Sequence, residues 1–155
     1  MSQVLAQGLR VDPDTIVLGN GSSELLEKAC YAFGGIGRKI AFPYPSFSMY
    51  QEYTQLANSI PAPYALTRDG YVDGEGVIEF CRKEKPALLI ICNPNNPTGN
   101  YTPLTVLEKI LANVECPVIM DEAYLEFVDP EDKLGRLSTL SLLNTYDNFL
   151  CFRTF

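Results

Sequence analysis

Two stretches of this chain, Ala87–Cys92 and Pro117–Met120, are apolar without a break. A strand with one wet face alternates apolar and polar residues. A run without alternation has to be covered on both faces, as at the centre of a parallel sheet between two layers of helices. The rest of the sequence supplies those layers. Further β-rich runs lie at Thr15–Leu18, Lys39–Phe42, Ser59–Ala65 and Asn148–Phe152, and the second apolar run continues to Asp121. Between most of them apolar residues recur at helical spacing, as with Leu25, Leu26, Ala29, Cys30 and Phe33 in Ser22–Phe33, where Ser22 or Ser23 is placed to cap the helix. Phe47–Asn58, Gly74–Glu84 and Pro103–Asn113 read the same way, the last with proline in its first turn. This alternation predicts an α/β fold with a mostly parallel central sheet and helices on both faces.

In such a sheet, ligands bind beyond the carboxyl ends of the strands. Three polar segments follow strand candidates: Gly19–Glu24, Asn93–Gly99 and Asp121–Tyr124. They are expected to meet in one crevice. No internal repeat, low-complexity stretch or linker divides the chain, and Pro61, Pro63 and Pro86 read as turn and strand-edge punctuation within one domain.

Composition removes several classes of function. With 155 residues, 46% hydrophobic and 20% charged, the chain has the make-up of a soluble globular protein. Twelve basic against nineteen acidic side chains give a net charge of −7, and no basic cluster exceeds Arg82, Lys83 and Lys85, so no nucleic-acid partner is expected. No apolar run approaches the roughly 18 to 20 residues needed to cross a bilayer, and the start lacks the order of a signal peptide; no membrane partner and a cytoplasmic location are expected. The five cysteines are widely spaced, with no Cys-x-x-Cys pair, and read as buried free thiols rather than metal ligands. Histidine is absent, which excludes a Ser-His or Cys-His nucleophile pair within this chain.

Each polar segment has a chemical reading and a plainer one. Gly19–Glu24 leaves a strand and enters a helix, so its backbone N–H groups form an anion site, or else simply a turn. Asn93–Gly99 contains two prolines and a terminal glycine; it holds an asparagine amide rigidly at the strand end, or is a stiff turn and no more. Asp121–Tyr124 sets a carboxylate and a phenol at the sheet edge. A carboxylate after a buried strand needs a compensating cation.

Together these segments resemble the class I and II aminotransferases, with the NPTG loop at Asn96–Gly99 and the aspartate segment at Asp121–Tyr124. Within them, Val17–Glu24, Pro45–Tyr50, Asp121–Phe127 and Phe152–Phe155 are most similar to histidinol-phosphate aminotransferases, in the same order and spacing along nearly the whole chain. The resemblance implies the three-layer large domain of fold type I enzymes and pyridoxal 5'-phosphate as cofactor. It also implies an amino acid or amino phosphate with a 2-oxo acid as substrates, and a homodimeric parent. By the same resemblance Asp121 pairs with the pyridinium nitrogen, Asn96 and Tyr124 bond the 3' oxygen, and Phe47 stacks on the ring, where many relatives carry tyrosine. Gly21, Ser22 and Ser23 hold the phosphate, with Thr154 adding a hydroxyl. Packing at a helix start is the other reading of Phe47. Glu24 reads as a first-turn helix charge, and Tyr44 and Tyr50 as local packing or as lining of the cofactor pocket.

In that family Arg-Thr-Phe is followed by Ser-Lys, and this lysine forms the Schiff base; here Phe155 is the last residue, and Lys28, Lys39, Lys83, Lys85, Lys109 and Lys133 match no such position. The expectation is therefore part of a large domain over 1–155, without the amino-terminal arm, the lysine segment and the small domain. No catalytic residue is assigned within it, and it is expected not to transaminate alone. Threonine-phosphate decarboxylase and other class I and II aminotransferases share these motifs, and a non-catalytic binding module is the alternative of another class.

Overall fold

The computed structural model describes residues 1–129, 131 and 136–154; Lys133 and Phe155 lie outside the described residues. Five strands, β1 (Lys39–Tyr44), β2 (Ile60–Ala65), β3 (Leu88–Cys92), β4 (Val118–Asp121) and β5 (Phe149–Phe152), form one sheet in the order β2-β1-β3-β4-β5. Every pairing is parallel. The two uninterrupted apolar runs are the neighbours β3 and β4, with Leu89 opposite Val118 and Cys92 opposite Asp121.

Among the described residues five α-helices accompany the strands: α1 (Ser2–Leu9), α2 (Gly21–Phe33), α3 (Met49–Leu56), α4 (Gly74–Glu84) and α5 (Leu104–Leu111). Side chains of β3 alternate between two cores. Leu88, Ile90 and Cys92 pack with Leu26, Ala29 and Cys30 of α2 and Tyr50 of α3. Leu89 and Ile91 pack with Val77, Ile78 and Cys81 of α4 and with Leu107, Ile110 and Leu111 of α5. Both faces of β3 are thus covered, which is why its sequence shows no alternation. Each fully buried leucine or isoleucine contributes about 1.5–3 kcal/mol.

Local signals set the element ends. Asp73 caps α4 by accepting from the Gly76 amide at 3.1 Å, and Arg82 and Lys83 occupy its last turn. Pro61 and Pro63 fall in β2, an edge strand, where a missing N–H costs the ladder nothing on the open side. The helices expected at Phe47–Asn58 and Pro103–Asn113 are shorter, Met49–Leu56 and Leu104–Leu111.

One expected strand does not form. Pro13–Thr15 is a single 3-10 turn capped by Asp12, and Ile16 beyond it is extended (φ −97°, ψ 121°), but Thr15–Leu18 pairs with no strand among the described residues. Local sequence sets an extended backbone; a strand also needs a neighbour. Helix α1 was not anticipated, and it buries Ala6 alone.

From β1 the chain passes outward to β2 and then returns to the other side of β1 as β3. This reversal opens a crevice between the carboxyl ends of β1 and β3, where ligands bind in open α/β sheets. Among the described residues no helix is long and apolar enough to cross a membrane, and no group of three or more candidate ligands could hold a metal.

Candidate functional site

Asp121 is the last residue of β4, with Cys92 and Phe152 as its neighbours in the sheet, and is 4% exposed. Its Oδ2 accepts from the Tyr50 hydroxyl at 2.7 Å and its Oδ1 from the Ala123 amide at 3.2 Å. No cation pairs with it among the described residues. Burial raises its carboxyl above the usual aspartate range, while the Tyr50 and Ala123 bonds work the other way. Tyr50 itself is fully buried, and burial is the main cause that pushes its phenol well above its ordinary value. Phe47 is half-buried and stands edge-on to Tyr50, ring centres 5.5 Å apart at 87°.

The loop after β3 divides its three asparagines by task. Asn93 donates to the Thr102 carbonyl at 3.0 Å and accepts from its amide at 2.6 Å, closing the base of the loop. Asn95 accepts from the Ser46 hydroxyl at 2.6 Å and donates to the Pro45 carbonyl at 3.1 Å and to Thr98 Oγ1 at 3.0 Å. The loops after β1 and β3 are thereby tied together across the crevice. Gly99, at φ +74°, turns the loop so that its amide reaches the Asn95 carbonyl at 2.7 Å. The Asn96 side-chain amide makes no hydrogen bond among the described residues, and Asn96 lines a cavity of about 530 Å³ together with Tyr124, Tyr101 and Phe127. Asn96 and Tyr124 thus line the same cavity.

Gly21 starts α2 at φ +76°, a conformation that favours glycine, and its amide bonds the Gly19 carbonyl at 2.9 Å. Glu24 accepts from the Asn20 amide at 2.6 Å and pairs with Lys28 at 2.7 Å, as a first-turn helix charge does. The Ser22 and Ser23 amides are left without a partner among the described residues at the positive end of a 13-residue helix. Thr154 is exposed just beyond β5.

Of the residues singled out from sequence, Phe47 and Asp121 are joined through Tyr50, and Asn96 and Tyr124 share a cavity. Gly21, Ser22, Ser23, Phe47, Asp121 and Thr154 do not line that cavity. Sequence reasoning left Tyr50 and Asn95 without these roles. It also passed over Glu122, which is 1% exposed and accepts from Ser138 and Thr139, with Arg153 at 3.5 Å. The argument that singled out Asp121, a carboxylate at a buried strand end, applies equally one residue later.

The groups on display are a buried carboxylate with no cation beside it among the described residues, an amide and a phenol lining one cavity, and two backbone amides at a helix start. The family model Aminotransferase class I and II matches residues 3–155. A histidinol-phosphate aminotransferase of Clostridium novyi is 38% identical over 144 residues, 93% of this chain and 38% of that protein. The crystal structure of the histidinol-phosphate aminotransferase from Clostridium acetobutylicum superposes with a TM-score of 0.82 at 27% identity, covering 97% of this chain and 43% of the other. A decarboxylase from Sulfurospirillum multivorans superposes with a TM-score of 0.84 at 27% identity, covering 99% and 44%. The chain therefore spans less than half the length of each.

Proposed function

From the premise that this chain belongs to the class I and II aminotransferase family, we propose that its crevice holds pyridoxal 5'-phosphate. The complete protein, on this reading, is a cytoplasmic homodimer that moves an amino group from histidinol phosphate to 2-oxoglutarate, and the chain is part of its large domain. One observation carries the reading: the buried Asp121 carboxylate has two neutral donors and no cation among the described residues. A protonated ring nitrogen fits that vacancy of charge. At ~4 Å and an effective dielectric near 20 the pairing is worth about 4 kcal/mol, roughly three pKa units on the ring nitrogen.

When bound, the cofactor supplies a protonated ring that accepts the electron pair left at the substrate α-carbon. The residues of this chain hold it. Asp121 keeps the proton on the ring nitrogen, and Asn96 and Tyr124 donate to the 3' oxygen. The free amides of Ser22 and Ser23, with Gly21 setting the turn and Thr154 adding a hydroxyl, receive the phosphate. Phe47 offers a ring face for stacking. Among the described residues no lysine lines the cavity of Asn96 and Tyr124, so these groups bind and orient.

The choice of histidinol phosphate rests on the relative from Clostridium novyi, at 38% identity. The Sulfurospirillum multivorans decarboxylase supports a second reading, loss of a carboxyl group rather than exchange of an amino group. Titration with pyridoxal phosphate, followed by absorbance, tests the reading: binding that is lost in Asp121→Asn supports it, no binding by the parent chain rules out the cofactor, and binding that survives the substitution rules out Asp121 as its partner. Assay of the complete protein for glutamate or for carbon dioxide separates the two reactions, and sedimentation tests the dimer.

A further inference from the structure

We propose that Tyr50 is the positioning residue for the Asp121 carboxylate, holding Oδ2 through its phenol and linking that carboxylate to the Phe47 ring. Its place in the mechanism rests on the cofactor reading above; the contact itself does not. A buried ring at position 50 would pack as well without its oxygen, against Phe42 at 6.4 Å and Phe47 at 5.5 Å. Burying a hydroxyl is costly unless it is bonded. Here the bond goes to the one carboxylate that the cofactor reading needs, at the 2.7 Å usual for O–H···O.

The geometry assigns separate tasks to the two oxygens. Oδ2 takes the short phenol bond, while Oδ1 has only the longer contact with Ala123 and keeps acceptor capacity for a cationic partner. Two titratable groups face Asp121: Tyr50 from α3 and Cys92 from β3. Cys92 is buried and its thiol is pushed up to about 11. The phenol is therefore the donor that favours the charged carboxylate against burial. The same side chain stands edge-on to Phe47, so one residue of α3 fixes both the charge partner and the stacking face.

The test compares the full chain with Tyr50→Phe, reading the Asp121 carboxyl directly by carbon NMR, its signal identified by its loss in Asp121→Asn. Loss of a hydrogen bond to a charged group moves the Asp121 titration upward by about one unit, a tenfold change. A role in packing alone leaves it unmoved, and an unmoved titration overturns the proposal. Should Tyr50→Phe not fold, 3-fluorotyrosine introduced at position 50, a stronger donor, must lower the titration, and no change there overturns the proposal equally. Pyridoxal phosphate titration of the same proteins keeps the two readings apart. A shifted carboxyl with no cofactor binding in either protein supports the phenol–carboxylate contact and rejects the cofactor reading; binding with an unshifted carboxyl does the reverse.

Discussion

Glu122 and Thr139 meet in the interior: one carboxylate oxygen accepts both the Thr139 amide at 2.7 Å and its hydroxyl at 2.6 Å, and the two residues are 1% and 0% exposed. The other oxygen accepts from Ser138 Oγ at 2.6 Å and lies 3.5 Å from Arg153, which also pairs with Glu126. The segment at 138–142 is thereby fastened to the end of β4, beside Asp121. Glu122→Ala leaves the Ser138 and Thr139 donors without this acceptor and Arg153 with Glu126 alone, at a cost of about 3–5 kcal/mol. Glu122→Gln keeps the Thr139 bonds and loses the charge, and is expected to cost less. Urea unfolding of the two variants measures this, and equal stabilities would refute the role of the Thr139 bonds.

Asp121 makes the opposite kind of prediction. Burial raises its folded-state pKa above the ordinary 3.8, so its contribution to stability is fully present below that value and is lost as pH rises through the folded titration. Asparagine does not titrate. The stability difference between Asp121→Asn and the parent is therefore flat below about pH 3.8, moves in favour of the variant as pH rises through that window, and levels off above it. Urea midpoints at several pH values give the curve. A difference that stays constant, or moves towards the parent, removes the argument that this carboxylate is held at a cost.

How far the sequence could be read followed the range of the interaction. The strands β3 and β4 were legible because burial on both faces is written in consecutive residues, and Gly74–Glu84 was correct at both ends because Asp73, Arg82 and Lys83 act within a turn. Thr15–Leu18 failed as a strand because pairing is a property of a distant neighbour. Asn93–Gly99 was visible as a rigid loop, but which of its asparagines is free depends on Ser46, Pro45 and Thr102, none of them in the motif. Tyr50 could not be told from packing, since its partner lies 71 residues along the chain.

The cysteines are expected to react in a defined order. Burial pushes Cys30 and Cys92 up to about 11 and Cys151 well above its ordinary value. Cys81 and Cys116 act on each other, and this raises the Cys81 thiol and lowers that of Cys116. Thiolate is the reactive form, so Cys116, which is also partly exposed, is alkylated first. Site-resolved mass spectrometry with iodoacetamide follows the order. Cys81→Ala slows Cys116, and Cys81→Ser, which keeps a donor, slows it less; an unchanged rate in both contradicts the contact.

Gly21 isolates a backbone effect at the turn proposed to receive the phosphate. Its φ of +76° disfavours any side chain, yet a Cβ there meets nothing within 4 Å. Gly21→Ala should cost about 1 kcal/mol from the left-handed conformation alone. Gly21→Asn should cost less, because asparagine tolerates that region. Thermal unfolding of the pair decides: a larger loss for asparagine than for alanine contradicts a purely conformational origin.

Asn95 and Asn96 are adjacent and chemically identical, and the structure assigns them opposite consequences. Asn95 is 3% exposed and joins the loops after β1 and β3 through Ser46, Pro45 and Thr98. At about 1 kcal/mol for each bond, Asn95→Ala should cost about 2–3 kcal/mol. Asn96 has no such bond among the described residues and faces the cavity. Its substitution by alanine should leave stability within about 0.5 kcal/mol. Both should weaken pyridoxal phosphate binding, Asn96→Ala by losing a donor to the 3' oxygen and Asn95→Ala by loosening the loop that aims it. Urea unfolding and cofactor titration of the two variants separate the effects. If Asn96→Ala proves the more destabilising, its amide is a structural brace, and the donor facing the cofactor has to be sought elsewhere on this loop.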